Sequence, residues 1–93
     1  MAKTPTAKRI EKAIDKVKDL LIEKNKSYGD SALKPAKIFA RGSAVDNLTA
    51  RIDDKLMRIE NKGITDKTED TLDDLIGYLI LLKLALQDEQ KSK

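Results

Sequence analysis

The sequence predicts an all-α protein: an antiparallel helical bundle of three main helices plus a short extra helix, completed by oligomerisation. Apolar residues recur at three- and four-residue spacing in three separate windows, and no window alternates as a strand does. The chain has 93 residues, 40% of them hydrophobic, 38% charged and 3% aromatic. That composition suits one small helical domain rather than a disordered segment. A core at this length is thin, so help from a partner chain is expected.

The first helix is expected roughly over 6–25. Thr4, Pro5 and Thr6 supply its start, with proline tolerated in the first turn. Ile10, Ile14, Val17 and Leu21 form its apolar stripe, with Ala13 and Leu20 beside them. It should stop near Asn25, leaving Ser27-Tyr28-Gly29-Asp30-Ser31 as a loop around a flexible glycine. Pro35 opens a short helical turn, roughly 35–41, that carries Ile38 and Phe39 and is broken by Gly42. Ser43 then caps a second long helix, roughly 44–62, whose buried stripe is Val45, Leu48, Ile52, Leu56 and Ile59 and whose stop is Gly63. The last helix, roughly 67–88, can be capped by Thr65, Asp66 or Thr68. Leu72, Leu75, Ile76 and Leu79 mark its expected core face, with Lys83 close to that face as a misfit. Beyond Leu79 the apolar residues spread almost all round. A helix apolar on every side is usually buried on every side, and three helices cannot easily enclose one, so this helix is expected at a homo-oligomer interface. The whole chain, 1–93, then reads as a single helical domain with mobile ends.

Composition narrows the chemistry. With no cysteine and no histidine, thiol catalysis, Ser-His triads and the usual zinc ligands are excluded. A metal site could be built only from oxygen ligands, which favours magnesium or manganese. The 19 basic and 16 acidic residues leave a net charge of +3, a nearly balanced surface that makes nucleic acid an unlikely partner. The excess lies in part at the ends, in Lys3, Lys8, Arg9, Lys91 and Lys93. No apolar signal core opens the chain, and the Leu79–Leu86 run is too short to span a bilayer. No membrane role is expected, and the cytoplasm is the default location.

Glu69, Asp70, Asp73 and Asp74 place four carboxylates in six residues at the start of the most apolar helix. At about 100° per residue, Asp70, Asp74 and Tyr78 share one stripe that Leu81 and Ala85 continue. Two acids one turn apart, pointing where the surface soon turns apolar, can share a divalent ion that offsets their repulsion. Glu69 and Asp73 form a second pair, rotated by about 80–100°. A solvated first turn, stabilised by the helix dipole with no function at all, explains the same spacing more simply. On the second helix, Arg51, Asp54 and Arg58 share a strip near Asn47: either a third carboxylate between two phosphate-clamping guanidinium groups, or exposed ion pairs. Asp54 lies roughly 160° from the apolar stripe, so only a covering helix could make it line a pocket. In Lys24-Asn25-Lys26-Ser27-Tyr28-Gly29-Asp30, Tyr28 could stack on a base and Lys24 or Lys26 could reach phosphate, although an ordinary helix-ending loop reads the same. The P-loop spacing is absent.

Together the segments Lys24–Asp30, Arg51-Ile52-Asp53-Asp54-Lys55-Leu56-Met57-Arg58 and Glu69–Tyr78 resemble, in that order, small phage and bacterial proteins of the nucleotide-modification-associated type. Those are similar to the MazG-like all-α nucleoside triphosphate pyrophosphohydrolases. The resemblance spans roughly residues 20–86. It implies an oligomeric helical bundle that binds a nucleotide and uses magnesium held by acids on two helices, so that a metal-activated water attacks phosphorus and releases pyrophosphate. Carried onto this chain, Asp70 and Asp74 match the acids of the last helix and Asp54 that of the preceding one, as metal ligands and catalytic residues. Lys24, Lys26, Tyr28, Arg51, Lys55, Arg58 and Tyr78 fall to the nucleotide. The Glu-Glu-x-x-Glu cluster of better-known members is not present; Asp53 and Asp54 stand in its place, and Glu60 points elsewhere.

The leading expectation is therefore a magnesium-dependent nucleoside triphosphate pyrophosphohydrolase. A non-catalytic nucleotide or cyclic-nucleotide binder, of the kind that sequesters a signal, is the alternative that the incomplete acid set favours. A structural or protein-binding bundle is the third, resting on the all-round apolar helix. Base, sugar and phosphate count are not written in the sequence.

Overall fold

A computed structural model describes residues 3–38 and 41–91, the side chains at 66 and 91 excepted. Three long helices carry the fold: α1 (Pro5–Tyr28), α2 (Ala44–Lys62) and α3 (Glu69–Lys91), with a 3-10 turn over Asp66–Thr68 leading into α3. No strand occurs among the described residues.

The ends of the helices follow from local chemistry. Thr4 Oγ1 accepts the Ala7 N–H at 3.0 Å, and Pro5 occupies the first helical position, where its missing N–H costs nothing. α1 runs past the expected stop at Asn25. It ends only where Gly29 turns left-handed at φ +61° and returns its N–H to the Asn25 carbonyl. Ser27 and Tyr28, expected in a loop, are therefore the last helical residues. α2 begins with a reciprocal cap. Ser43 Oγ accepts the Asp46 N–H at 3.1 Å, and the Asp46 carboxylate accepts the Ser43 N–H at 3.3 Å. Gly63 closes it, donating to the Ile59 carbonyl at 2.7 Å. Before α3, Thr68 Oγ1 accepts the Thr65 N–H and donates to the Thr65 carbonyl, at 3.0 and 2.5 Å.

Among the described residues, the short helix expected over 35–41 is not found. Residues 35–38 and 41 are non-helical, and Lys37 takes φ +57°, a left-handed conformation that interrupts any right-handed turn. Phe39 lies outside the described residues.

Both α1 and α2 pack on α3. α2 lies antiparallel to it, since Lys55 reaches Asp74 while Ala44 and Ala85 line one groove at the other end. α1 meets α3 over a short stretch, with Lys16, Leu21 and Lys24 against Glu69, Asp73, Asp74 and Gly77. Gly77 is the close approach: a Cβ there would stand 2.9 Å from Leu21 Cδ2.

The core is small. Val17, Leu48 and Ala85 are the buried hydrophobic residues among those described. Val45, Ile52 and Ile59 are half-buried as expected, but Leu56 is exposed. α3 corrects the sequence reading most. Leu72, Ile76 and Leu79, three of the four residues of its expected core face, are exposed, as is Lys83 beside them. The inward stripe is instead the one that begins with the acids. Asp74, Tyr78 and Leu81 are half-buried and Ala85 is buried along it. Periodicity could not choose between these faces, because α3 is apolar around most of its circumference.

Candidate functional site

The inward stripe of α3 brings a carboxylate to the place where the three helices meet. Asp74 Oδ1 accepts a hydrogen bond from Lys24 Nζ of α1 at 3.2 Å, and Asp74 Oδ2 faces Lys55 Nζ of α2 at 3.5 Å. The Asp74 and Lys55 side chains are only 24% and 22% exposed, while Lys24 is more open at 45%. One residue from each of the three segments singled out in the sequence thus enters a single contact. Helix periodicity explains the placement. Lys24 lies one turn past Leu21 on the packed stripe of α1, and Lys55 falls between Leu48, Ile52 and Ile59 on the packed face of α2. Long lysine stems can cover apolar surface while the ammonium group reaches a charge.

A carboxylate so shielded costs several kcal/mol when left unpaired. Here two ammonium groups supply the counter-charge, so Asp74 is tolerated without a metal. Lys24, Lys55 and Asp74 alone sum to one positive charge, and Glu69, Asp70, Asp73 and Lys16 on the neighbouring turns bring the local sum to minus one.

A second cluster lies one turn towards the start of α3. Lys16 Nζ of α1 bridges Asp73 at 3.1 Å and Glu69 at 3.3 Å. The hydrogen bond to Asp73, then that to Glu69, hold its ammonium pKa above the usual value. This is the acid pair that spacing ranked second, and Lys16 was not singled out. Lys16, Leu20 and Lys24 do share one edge of the α1 stripe at four-residue intervals, which was the available signal. It does not say which helix that edge faces.

The remaining expected site residues are placed as follows. Tyr78 is half-buried on the inward stripe, one turn past Asp74. Asp70 is exposed on the turn before Asp74, and Asp54, Arg51 and Arg58 are exposed on α2. Lys26 and Tyr28 stand exposed on the last turns of α1. No group of three or more carboxylates is gathered for a metal among the described residues. Asp54, Asp70 and Asp74 are therefore not united within one chain. A magnesium ion, however, takes only one or two carboxylates when phosphates and water complete its shell. Both Asp74 oxygens face ammonium groups here, and Asp70 stands exposed one turn before it.

Two surface depressions lie elsewhere. One, of about 410 Å³, is lined by Leu33, Pro35, Lys37, Ser43, Ala85 and Glu89 among others. The other, of about 340 Å³, runs along α1 past Asp19, Ile22, Glu23, Lys26 and Ser27. Both are wide open, and neither includes Asp74. The contact that joins all three helices lies at Asp74, outside both hollows.

No protein-family model, curated protein or solved structure matches the chain. No helix among the described residues is long and apolar enough to cross a membrane.

Proposed function

We propose that this chain binds the phosphates of a nucleotide at the Lys24–Asp74–Lys55 junction and acts, as a homo-oligomer, as a magnesium-dependent nucleoside triphosphate pyrophosphohydrolase. One observation carries the reading. Three segments far apart in sequence contribute Lys24, Lys55 and Asp74 to one contact within 3.5 Å. An exposed charged face has no need of such convergence. Lys24 and Lys55 supply ammonium groups for phosphate, with Arg51 and Arg58 on the same helix as Lys55 as further cations. Tyr28 and Tyr78 offer rings for a base. Asp74 orients the two ammonium groups before a ligand arrives, which lowers the ordering cost of binding. In the hydrolase reading Lys24 and Lys55 pass from Asp74 to the phosphates, and Asp74 with Asp70 would then hold the magnesium ion, which when bound supplies the activated water for attack on phosphorus.

A second reading has its own support. The described residues gather no three-acid cluster, and Asp74 is paired with two lysines rather than with further acids, so the junction is better furnished for holding phosphate than for cleaving it. In that reading the chain is a non-catalytic nucleotide or cyclic-nucleotide binder.

Incubation of the purified protein with each nucleoside and deoxynucleoside triphosphate in magnesium separates the two. Pyrophosphate release that stops in chelator supports the hydrolase. Binding that persists in chelator, with the ligand recovered intact, supports the binder. Absence of both binding and turnover across the nucleotides overturns the proposal.

A further inference from the structure

We infer that a strip of cations along α2 binds a single strand of nucleic acid, with Tyr28 at the end of α1 as a stacking platform. This goes beyond the nucleotide reading. The two share Arg51, Lys55 and Arg58, but neither rests on the other.

α2 is neutral in total, with four cations and four acids, yet its charges are sorted. Arg51, Lys55, Arg58 and Lys62 follow at intervals of four, three and four residues, which keeps them within about 60° of one another round the helix. Asp46, Asp53 and Glu60 follow at intervals of seven on the opposite flank, about 180° away. Interleaved charges on an exposed helix pair with each other along one face. Here they do not. Arg51, Arg58 and Lys62 are exposed and make no ion pair among the described residues, although Asp54 stands three residues from Arg51 and four from Arg58. Of the four cations, only Lys55 is paired, with Asp74.

The chemistry of the strip selects its occupant. By helix rise it runs about 16 Å, the length of several phosphates on one strand. No apolar side chain of α2 lies within it. Leu56 and Met57, the exposed large apolar residues of α2, are about 100° or more away. A docked protein centres on apolar or aromatic anchors, so an acidic protein is the poorer occupant. A ring does stand beside the strip. Lys24 and Lys55 meet on the two oxygens of Asp74, at 3.2 and 3.5 Å, which sets the end of α1 against the middle of the strip. Tyr28, one turn past Lys24, is 68% exposed. A track of cations with an exposed ring beside it suits an unpaired strand, whose open bases are free to stack. The acids at the start of α3 are largely taken: Glu69 and Asp73 by Lys16, Asp74 by Lys24 and Lys55, with Asp70 left exposed. The near-balanced charge of the whole chain argues against a protein-wide basic field, not against a sorted one.

The test is fluorescence anisotropy of a labelled oligothymidylate of about twelve nucleotides, titrated with the full chain at several salt concentrations. Binding should weaken by about 20- to 50-fold between about 50 and 200 mM salt, as for three to four phosphate contacts on a single strand. Arg58→Gln/Lys62→Gln should about halve the slope of log affinity against log salt. Lys8→Gln/Lys12→Gln, on the side of α1 opposite Val17, should leave that slope unchanged. Tyr28→Ala should weaken binding about fivefold or more, and a duplex of the same length should bind more weakly than the strand. All the altered side chains are exposed, so helical circular dichroism should be kept; the slope of the unaltered chain needs no variant. Absence of binding at low salt, a flat salt dependence or an equal loss in the Lys8/Lys12 variant overturns the inference. So does unchanged binding by Tyr28→Ala, a duplex bound as tightly as the strand, or equal displacement of the strand by a glutamate peptide of the same length. Nucleoside triphosphate binding is measured on the same samples. Triphosphate bound without the strand overturns this inference and leaves the nucleotide reading standing; the strand bound without triphosphate does the reverse.

Discussion

Replacing Asp74 by asparagine keeps the shape of the side chain and removes the charge that Lys24 and Lys55 share. At 3.2 and 3.5 Å, each unit-charge attraction is worth about 5 kcal/mol at an effective dielectric of about 20. Most of that is offset by desolvation and by the ordering of two lysine side chains. Fully exposed pairs retain about 0–1 kcal/mol, and removing one member of a buried pair costs about 3–5 kcal/mol. Asp74 and Lys55 are each about three-quarters buried and Lys24 about half, so Asp74→Asn should cost about 1.5–2.5 kcal/mol. For a domain of this length that lowers Tm by roughly 6–20 °C. Lys55→Met should cost more than Lys24→Met, and added salt should weaken the Lys24 contribution first. Urea denaturation followed by circular dichroism, at one fixed protein concentration, gives these values. In a double-mutant cycle, Lys55→Met and Asp74→Asn should couple by about 1 kcal/mol. Zero coupling, or an Asp74→Asn protein as stable as the original, would refute the claim that this contact ties the three helices together.

Two further outcomes follow from neighbouring positions. The raised pKa of Lys16 means that its pairing with Asp73 and Glu69 stabilises the fold fully below its ordinary value of 10.5 and is lost as pH rises through the higher folded value. Lys16→Gln should therefore be less stable than the parent at neutral pH, and the gap between the two denaturation midpoints should close in strong alkali; a gap that persists there would contradict this. Gly77→Val should destabilise by about 1–3 kcal/mol through collision with Leu21, whereas Gly77→Ala in a Leu21→Ala background should gain about 0.5–1 kcal/mol from helix propensity, both read by urea denaturation.

Much of the fold was legible because helix signals are local. Thr4-Pro5, Ser43 and Gly63 mark boundaries through their own hydrogen bonds and torsions, and the stripes of α1 and α2 follow from spacing. The end of α1 was placed too early because the decisive residue is Gly29, whose left-handed cap lets the helix continue through Tyr28. The turn after Pro35 looked helical from Ile38 and Phe39, but the left-handed torsion at Lys37 carries no sequence mark. The inward face of α3 was misread for a deeper reason. Its apolar residues permit several faces, and the buried positions are the small residues Thr71, Gly77 and Ala85, beside an Asp74 that Lys24 and Lys55 reach from other helices. Asp74 and Lys55 could each be nominated from sequence, yet their contact is a tertiary fact. Lys16 shows the same limit: its edge of α1 was visible, its partner was not. The outward position of Asp54, by contrast, was already present in its angle from the apolar stripe.

The central claim is that residues 24–30, 51–58 and 69–78 form one nucleotide site. Backbone amide NMR shifts recorded while a nucleoside triphosphate is added, with and without magnesium, test it most directly. The account predicts that amides of all three segments, Lys24, Lys55 and Asp74 among them, move together along one binding curve, and that Lys55→Met weakens that curve. Shifts confined to a single segment, or no shift with any nucleotide, would contradict it.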